Sequence, residues 1–260
     1  MDGTPPGRGH ERLAWGRRAP RDRTAHGVRR LRDLLRAGMV RAGATGRKLP
    51  SERELMLSHG ASRTAVREAL GLLRDEGLVA RLQGRGTVTL DLPALMSLRE
   101  YHGVERPTPS SLLGGAIRSH VLEETTIPAP AGLAELLGRE PGDPVLCVDY
   151  VGTVGDDPVV VATDYVRMPE AAAVAGTPFR TDWYVRLADA GLVVDDTEIL
   201  FEAGVADAFD AELLAVRPGE PIMIMEQLLR DPAGETFNVA VIRSAGRRMT
   251  LHSRQRRTGP

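Results

Sequence analysis

Several things are scarce in this sequence, and each scarcity excludes something. Its 260 residues contain a single cysteine, Cys147, which rules out an internal disulfide framework and any multi-thiolate zinc site. The apolar neighbours Val145, Leu146 and Val148 place that thiol on a buried strand. No apolar run approaches the roughly 20 residues of a membrane helix, and residues 1–20 have no continuous hydrophobic stretch of the kind a secretory signal needs. A cytoplasmic protein with no membrane partner is expected. The six histidines (His10, His26, His59, His102, His120, His252) are scattered, with no His and carboxylate cluster at ligand spacing, so no metal site and no cofactor are expected. The Gly-x-Ser-x-Gly elbow, the phosphate-binding Walker loop, His-Glu-x-x-His and the dinucleotide glycine pattern are all missing, so catalysis of those kinds is not expected. Lysine is nearly absent too: Lys48 stands alone among 34 basic residues, a bias that a G+C-rich coding sequence produces.

What is present is a globular balance, 42% hydrophobic and 27% charged, long enough for one large domain or two ordinary ones. The net charge of −1 conceals an asymmetry. Residues 1–90 hold 19 Lys and Arg against 9 Asp and Glu, whereas residues 91–260 hold 15 against 26. The basic part can neutralise phosphates and the acidic part would be repelled by them.

Residues 1–24, rich in Gly, Pro and Arg, read as a disordered basic tail. From about Ala25 an amphipathic helix is expected, with Val28, Leu31, Leu34, Leu35 and Met39 on its apolar face. Ser51-Glu52-Arg53-Glu54 is a capping box that opens a short second helix ending by Gly60. Ser62 caps a third helix running to about Glu76, whose buried stripe is Val66, Ala69, Leu70 and Leu73. Arg63, Thr64, Arg67, Glu68, Gly71 and Arg74 then face outward. Two short strands follow, Leu78 to Leu82 and Thr87 to Leu90, joined by the hairpin turn Gln83-Gly84-Arg85-Gly86.

That succession is a winged helix-turn-helix over residues 25–90. The blocks Leu49-Pro50-Ser51-Glu52-Arg53-Glu54-Leu55, Ser62-Arg63-Thr64-Ala65-Val66-Arg67-Glu68-Ala69-Leu70, Glu76-Gly77-Leu78-Val79 and Gly84-Arg85-Gly86-Thr87 closely resemble the N-terminal DNA-binding domain of the GntR family of bacterial transcriptional regulators. Chemistry points the same way. Arg63 and Arg67, four apart on one helix face, can reach guanine edges in the major groove, and Thr64 can reach a phosphate or a thymine methyl. The helix N-terminus at Ser51, Glu52 and Arg53 suits a phosphate. Gln83, Gly84, Arg85 and Gly86 suit the minor groove, where glycine permits close approach and arginine favours the negative potential. The resemblance implies DNA contacts at these positions and at Ser62. Glu68 is expected to orient Arg67 or another arginine, and Arg47 with Lys48 reads either as a phosphate contact or as a solvated loop.

Residues 91–115 read as an irregular interdomain linker. The remainder, 116–257, shows strand-like runs at 115–122, 145–154, 159–166, 198–206, 222–230 and 236–244. Helical patterns lie between them, at 129–137, 169–175, 181–190 and 207–214. Mostly consecutive strands with helices beside them favour an α+β fold with an antiparallel sheet. The runs Ala134-Glu135-Leu136-Leu137, Pro141-Gly142-Asp143-Pro144-Val145, Gly155-Asp156-Asp157-Pro158-Val159, Pro218-Gly219-Glu220-Pro221 and Ile242-Arg243-Ser244-Ala245-Gly246-Arg247 resemble the effector-binding domain of the HutC subfamily of GntR regulators (the UTRA domain), whose fold is related to chorismate lyase. The resemblance implies a small-molecule effector, a homodimer formed through this domain, and a double-stranded operator of pseudo-palindromic form. Many relatives carry an arginine and a glutamate, which hold anionic ligands, where this chain has Gly152 and Ala162, so a more neutral or apolar effector is expected. Arg118, His120, Gly152, Ala162, Asp164, Tyr165, Asn238 and Arg243 are the candidates for lining the pocket, Asp164 and Arg243 first, because a charge on a buried sheet must be paired or functional. The reading is a ligand-responsive transcriptional regulator acting as a repressor. A ligand-independent DNA-binding dimer and a chorismate-lyase-like enzyme fused to a DNA anchor are the alternatives.

Overall fold

The computed structural model describes residues 23–42, 46–90, 94–97, 117–179 and 181–253. The expected tail and most of the expected linker lie outside them. Clustering of the chain's contacts yields two compact units, divided close to residue 91.

In the first unit α1 spans Arg23–Ala42, α2 Glu52–His59 and α3 Arg63–Asp75. Val28, Leu31, Leu35 and Met39 are buried as their spacing requires, but Leu34 is 61% exposed. At ~100° per residue Leu34 lies well around the helix from Val28 and Met39, off the stripe they define. Both caps form as the sequence dictates. Ser51 N and Oγ donate to Glu54 Oε2, each at 2.7 Å, and Glu54 N donates back to Ser51 Oγ at 3.3 Å. Those bonds hold the Glu54 carboxyl below the usual range. Gly60 ends α2 in the left-handed region at φ 59°, which an L side chain resists. Ser62 Oγ then accepts from Ala65 N at 3.2 Å and starts α3. Ser62→Ala is expected to lower stability by about 1 kcal/mol, read as a shifted midpoint of urea unfolding with an unchanged slope.

Val66, Ala69, Leu70 and Leu73 are all buried, so the stripe sits where its periodicity puts it. After Gly77 come β1 (Val79–Leu82) and β2 (Gly86–Thr89), antiparallel, with Leu82 opposite Gly86. The stretch before α2 joins this hairpin: Thr89 N donates to Arg47 O at 2.9 Å and Leu49 N to Thr87 O at 2.8 Å, with Lys48 opposite Val88.

The second unit is built on a six-stranded sheet ordered β4-β5-β6-β9-β8-β7, antiparallel throughout. Its strands are β4 (Ile117–Pro128), β5 (Pro144–Val154), β6 (Asp157–Arg167), β7 (Asp196–Val205), β8 (Pro221–Arg230) and β9 (Thr236–Ala245). Four short helices join them: α4 (Ala131–Leu136), α5 (Glu170–Ala175), α6 (Trp183–Asp189) and α7 (Ala208–Leu213). The expected runs lie within a few residues of these elements, except that β4 continues to Pro128. An α+β fold with an antiparallel sheet is what results.

Side chains alternate between faces along each strand. One face carries Leu146, Val148, Tyr150, Val160, Val166 and Ala240, packed with Ala171 and Val174 of α5 and Trp183 and Leu187 of α6. The other face packs Val145, Leu228 and Val239 against Ala134 and Leu137 at one end, and Val151, Val161 and Ile222 against Ala211 and Leu214 at the other. Cys147 is buried on this second face, and burial pushes its thiol up to about 11, so it is an inert apolar group. A separate parallel pair joins β3 (Ala94–Ser97), inside the expected linker, to β10 (Met249–His252). Among the described residues no helix is long and apolar enough to cross a membrane.

Candidate nucleic-acid interface and ligand pocket

In the first unit the exposed face of α3 begins with Arg63, Thr64 and Arg67, all open to solvent. Arg67 is 61% exposed, and its Nε lies 3.0 Å from Glu52 Oε2 on α2. The partner of Arg67 is therefore Glu52, fifteen positions away, and not Glu68 as expected from sequence, because the crossing of α2 and α3 brings Glu52 beneath it. Glu52 thus steadies the Arg67 side chain. Ser51, Arg53 and Ser62 are exposed around the two helix starts, and Arg74 is exposed at the far end of α3. The hairpin tip is exposed from Gln83 to Gly86. Gly84 and Gly86 have φ of 76° and 87°, so each is a position where glycine is needed for the turn. Lys48 Cε lies 3.5 Å from where a Cβ on Gly86 would be. The lysine thus rests along the hairpin, a placement that its sequence neighbourhood does not disclose. Arg85→Ala is expected to weaken DNA binding and to lower the slope of log affinity against log salt by about one, measured by DNA titration at several salt concentrations.

The second unit holds a pocket of about 40 Å³ between the sheet and the start of α6, lined by Ile117, Ser119, Tyr150, Val160, Asp164, Asp182, Trp183, Tyr184, Gln227 and Ile242. Of the candidates read from sequence only Asp164 lines it. Asn238 stands directly behind: wholly buried, it donates from Nδ2 to Asp164 Oδ1 at 3.0 Å and to Tyr165 O at 3.1 Å, and its Oδ1 accepts from Trp183 Nε1 at 3.2 Å. Asp164 is 1% exposed, and burial pushes its carboxyl up to about 7, opposed by hydrogen bonds from Asn238 and Tyr150 and by the charge of Arg186.

The remaining candidates stand elsewhere. Arg118, His120, Tyr165 and Arg243 project from the opposite face of the sheet, since each is one residue out of phase with the lining positions on its strand. His120 Nε2 meets Thr153 Oγ1 at 3.2 Å, and Arg243 Nε pairs with Asp210 Oδ2 at 3.4 Å, which accounts for that charge. Gly152 and Ala162 do lie on the pocket's face, but neither borders it. A Cβ on Gly152 would come within 2.6 Å of Val160 Cγ2 and 2.9 Å of Ile117 Cδ1, and Ala162 is packed in the core.

Sequence reasoning missed Asp182, Trp183 and Tyr184 at the helix and Tyr150, Gln227 and Ile242 on neighbouring strands. Even spacing from Asp164 along β6 reaches Val160, and the same phase on β5, β9 and β8 holds Tyr150, Ile242 and Gln227; the helix members carry no such signal. Asp182 caps α6, its Oδ1 accepting from Val185 N at 3.0 Å, and burial raises its carboxyl as well. Gln227 Nε2 donates to Tyr184 Oη at 2.8 Å, and Ser119 Oγ donates to Thr181 O. Among the described residues no His, Cys, Asp and Glu group could hold a metal ion.

A winged helix-turn-helix with an arginine-bearing recognition helix, followed by a sheet domain enclosing a small pocket, defines a ligand-binding transcriptional regulator. Residues 25–88 match the bacterial regulatory proteins of the gntR family, and residues 112–250 match the UTRA domain. The chain belongs to the GntR family of regulators, in the HutC-type branch that carries a UTRA effector domain. It is 32% identical over 208 residues to the HTH-type transcriptional regulator Rv0792c of Mycobacterium tuberculosis, covering 75% of this chain and 73% of that protein. It is 27% identical over 217 residues to the histidine utilization repressor of Pseudomonas aeruginosa, covering 82% and 81%. The crystal structure of PhnF from Mycobacterium smegmatis has the same fold, with a TM-score of 0.61, 22% identity and coverage of 88% of this chain and all of that one. The first two are named as a transcriptional regulator and a repressor, and membership of the GntR family sets the chorismate-lyase-like enzyme reading aside.

Proposed function

We propose that the protein is a homodimeric repressor, acting in the cytoplasm, that binds a pseudo-palindromic operator and is released when a small molecule occupies the pocket of the second unit. The observation that carries this reading is a capped, solvent-facing arginine helix encoded in one chain with a pocket whose lining includes two buried carboxyl groups. Ser51, Glu52, Arg53, Ser62, Arg63, Thr64, Arg67 and the tip from Gln83 to Gly86 form the DNA surface, with Arg63 and Arg67 reading bases, Arg53 neutralising phosphate and Arg85 entering the minor groove. Two symmetric half-sites call for two recognition helices. A second copy would have exposed apolar groups to cover, among them Phe201 and Val205 on the edge strand β7. Release follows from linkage: a ligand with higher affinity for a state in which the recognition helices do not fit both half-sites weakens DNA binding by that difference in affinity.

A gel-shift titration of the full-length protein on the promoter beside its own gene tests the proposal, repeated with metabolites of the neighbouring genes' pathway. Specific binding that one compound releases supports it. Binding that no compound releases favours a ligand-independent dimer, and no specific binding at any salt concentration overturns the reading.

A further inference from the structure

The pocket's lining includes two carboxylates, Asp164 and Asp182, and three aromatic rings, Tyr150, Trp183 and Tyr184, and no lysine, arginine or histidine is among its described residues. Asp164 and Asp182 are 1% and 5% exposed. Each carboxyl is hydrogen-bonded within the fold, Asp164 by Asn238 and Tyr150 and Asp182 by the backbone of Val185 and Tyr184. Each leaves Oδ2 buried and without a hydrogen-bond partner. Two such acceptors on one small cavity are costly unless something supplies donors. The nearby cation does not. Arg186 gives Nε to Thr177 O at 3.0 Å and Nη2 to Glu124 Oε2 at 2.8 Å and Val174 O at 3.1 Å, keeps Nη1 buried without a hydrogen-bond partner, lies over the Phe179 and Trp183 rings, and is not among the described lining residues.

An anion would meet two carboxyl groups with no cation among the described lining residues to offset them, and a purely apolar group would leave their Oδ2 atoms unmatched. An ammonium group has donors to give and is attracted by aromatic faces. A cavity of about 40 Å³ has room for roughly three waters, which suits the head of a ligand more than a whole phosphosugar. We propose that this pocket recognises the protonated amino group of a small organic cation, held by Asp164 and Asp182 and flanked by Tyr150, Trp183 and Tyr184. The proposal rests on the reading of the second unit as the effector-binding domain, and it gives that effector a charge opposite to the one an arginine and glutamate pair would select. A bound cation would favour the ionised form of Asp164, which burial otherwise disfavours.

The test uses matched probes: butylamine and benzylamine, butan-1-ol and benzyl alcohol, butyrate and benzoate. Trp183 is one of two tryptophans in the chain; with the other removed (Trp15→Phe), the fluorescence of the full-length protein reports on the pocket. Saturable quenching by an amine, with the matching alcohol and carboxylate binding at least about tenfold more weakly, is the expected result. Asp164→Asn should weaken amine binding by about tenfold or more, and so should Asp182→Asn, which keeps its Oδ1 cap and checks the first variant independently. Tighter binding of an alcohol or a carboxylate would overturn the cation assignment and leave the effector domain standing, as would amine affinity unchanged in both variants. No response to any of the probes would count against both.

Discussion

At pH 8 the Asp164→Asn protein is expected to be more stable than its parent, by up to about 4 kcal/mol, and at pH 4 the two should be nearly equal. The carboxyl of Asp164 moves from 3.8 to about 7 on folding because burial disfavours its charge, so the folded chain holds a proton that the unfolded chain has released. An acid raised in this way gives stability that is fully present below the unfolded value and disappears as pH climbs through the folded one. The window is therefore about pH 4 to 7, and a shift of roughly three units at about 1.4 kcal/mol each sets the ceiling. Asparagine is the same shape, can keep its Oδ1 on Asn238 Nδ2, and has no charge to desolvate. Asp182 and Asp210 are also raised by burial, but both proteins carry them, so they cancel in the difference. Urea unfolding of parent and variant at the two pH values measures it. A variant weakened equally at both would show that Asp164 holds the fold together as an ionised group.

The combined variant Arg63→Ala, Arg67→Ala should lose specific operator binding by at least about thirtyfold at fixed salt, because each bidentate contact to a base is worth about 1–3 kcal/mol. The two residues stand one turn apart on the same face of α3, so their effects are free to depart from a simple sum. Folding stability should hardly change. Both side chains are exposed, and the Arg67 to Glu52 contact is a surface pair worth no more than about 1 kcal/mol. Gel shifts with specific and unrelated DNA, alongside thermal melts, separate the two quantities. Operator affinity equal to the parent's would place α3 outside the groove.

The first unit was largely legible because its determinants are local. Ser51 with Glu54, Ser62 with Ala65, Gly60 and the stripe from Val66 to Leu73 all act within a turn or two of helix, and capping chemistry leaves a mark in adjacent residues. What escaped was nonlocal. Glu52 reaches Arg67 only through the crossing of two helices, and the Arg47 to Leu49 stretch joins the hairpin across some forty residues. The pairing of Ala94–Ser97 with Met249–His252 spans most of the chain and leaves no local signature. The sheet's strands were readable from alternation, yet alternation does not say which face carries the pocket. That choice belongs to α6, whose Trp183 packs on the Asp164 side, and the choice sends Arg243, Tyr165 and His120 away from it.

The close packing over Gly152 also bears on how such a pocket changes over time. With Val160 Cγ2 and Ile117 Cδ1 occupying the space that any side chain there would enter, an arginine introduced alone meets a filled site and loses stability before it could gain a ligand. The neighbours would have to shrink first, and each trimming, by itself, opens a void in the core. A lineage that has taken this route faces a valley on the way back, so its ligand preference is more readily refined than reversed by single mutations.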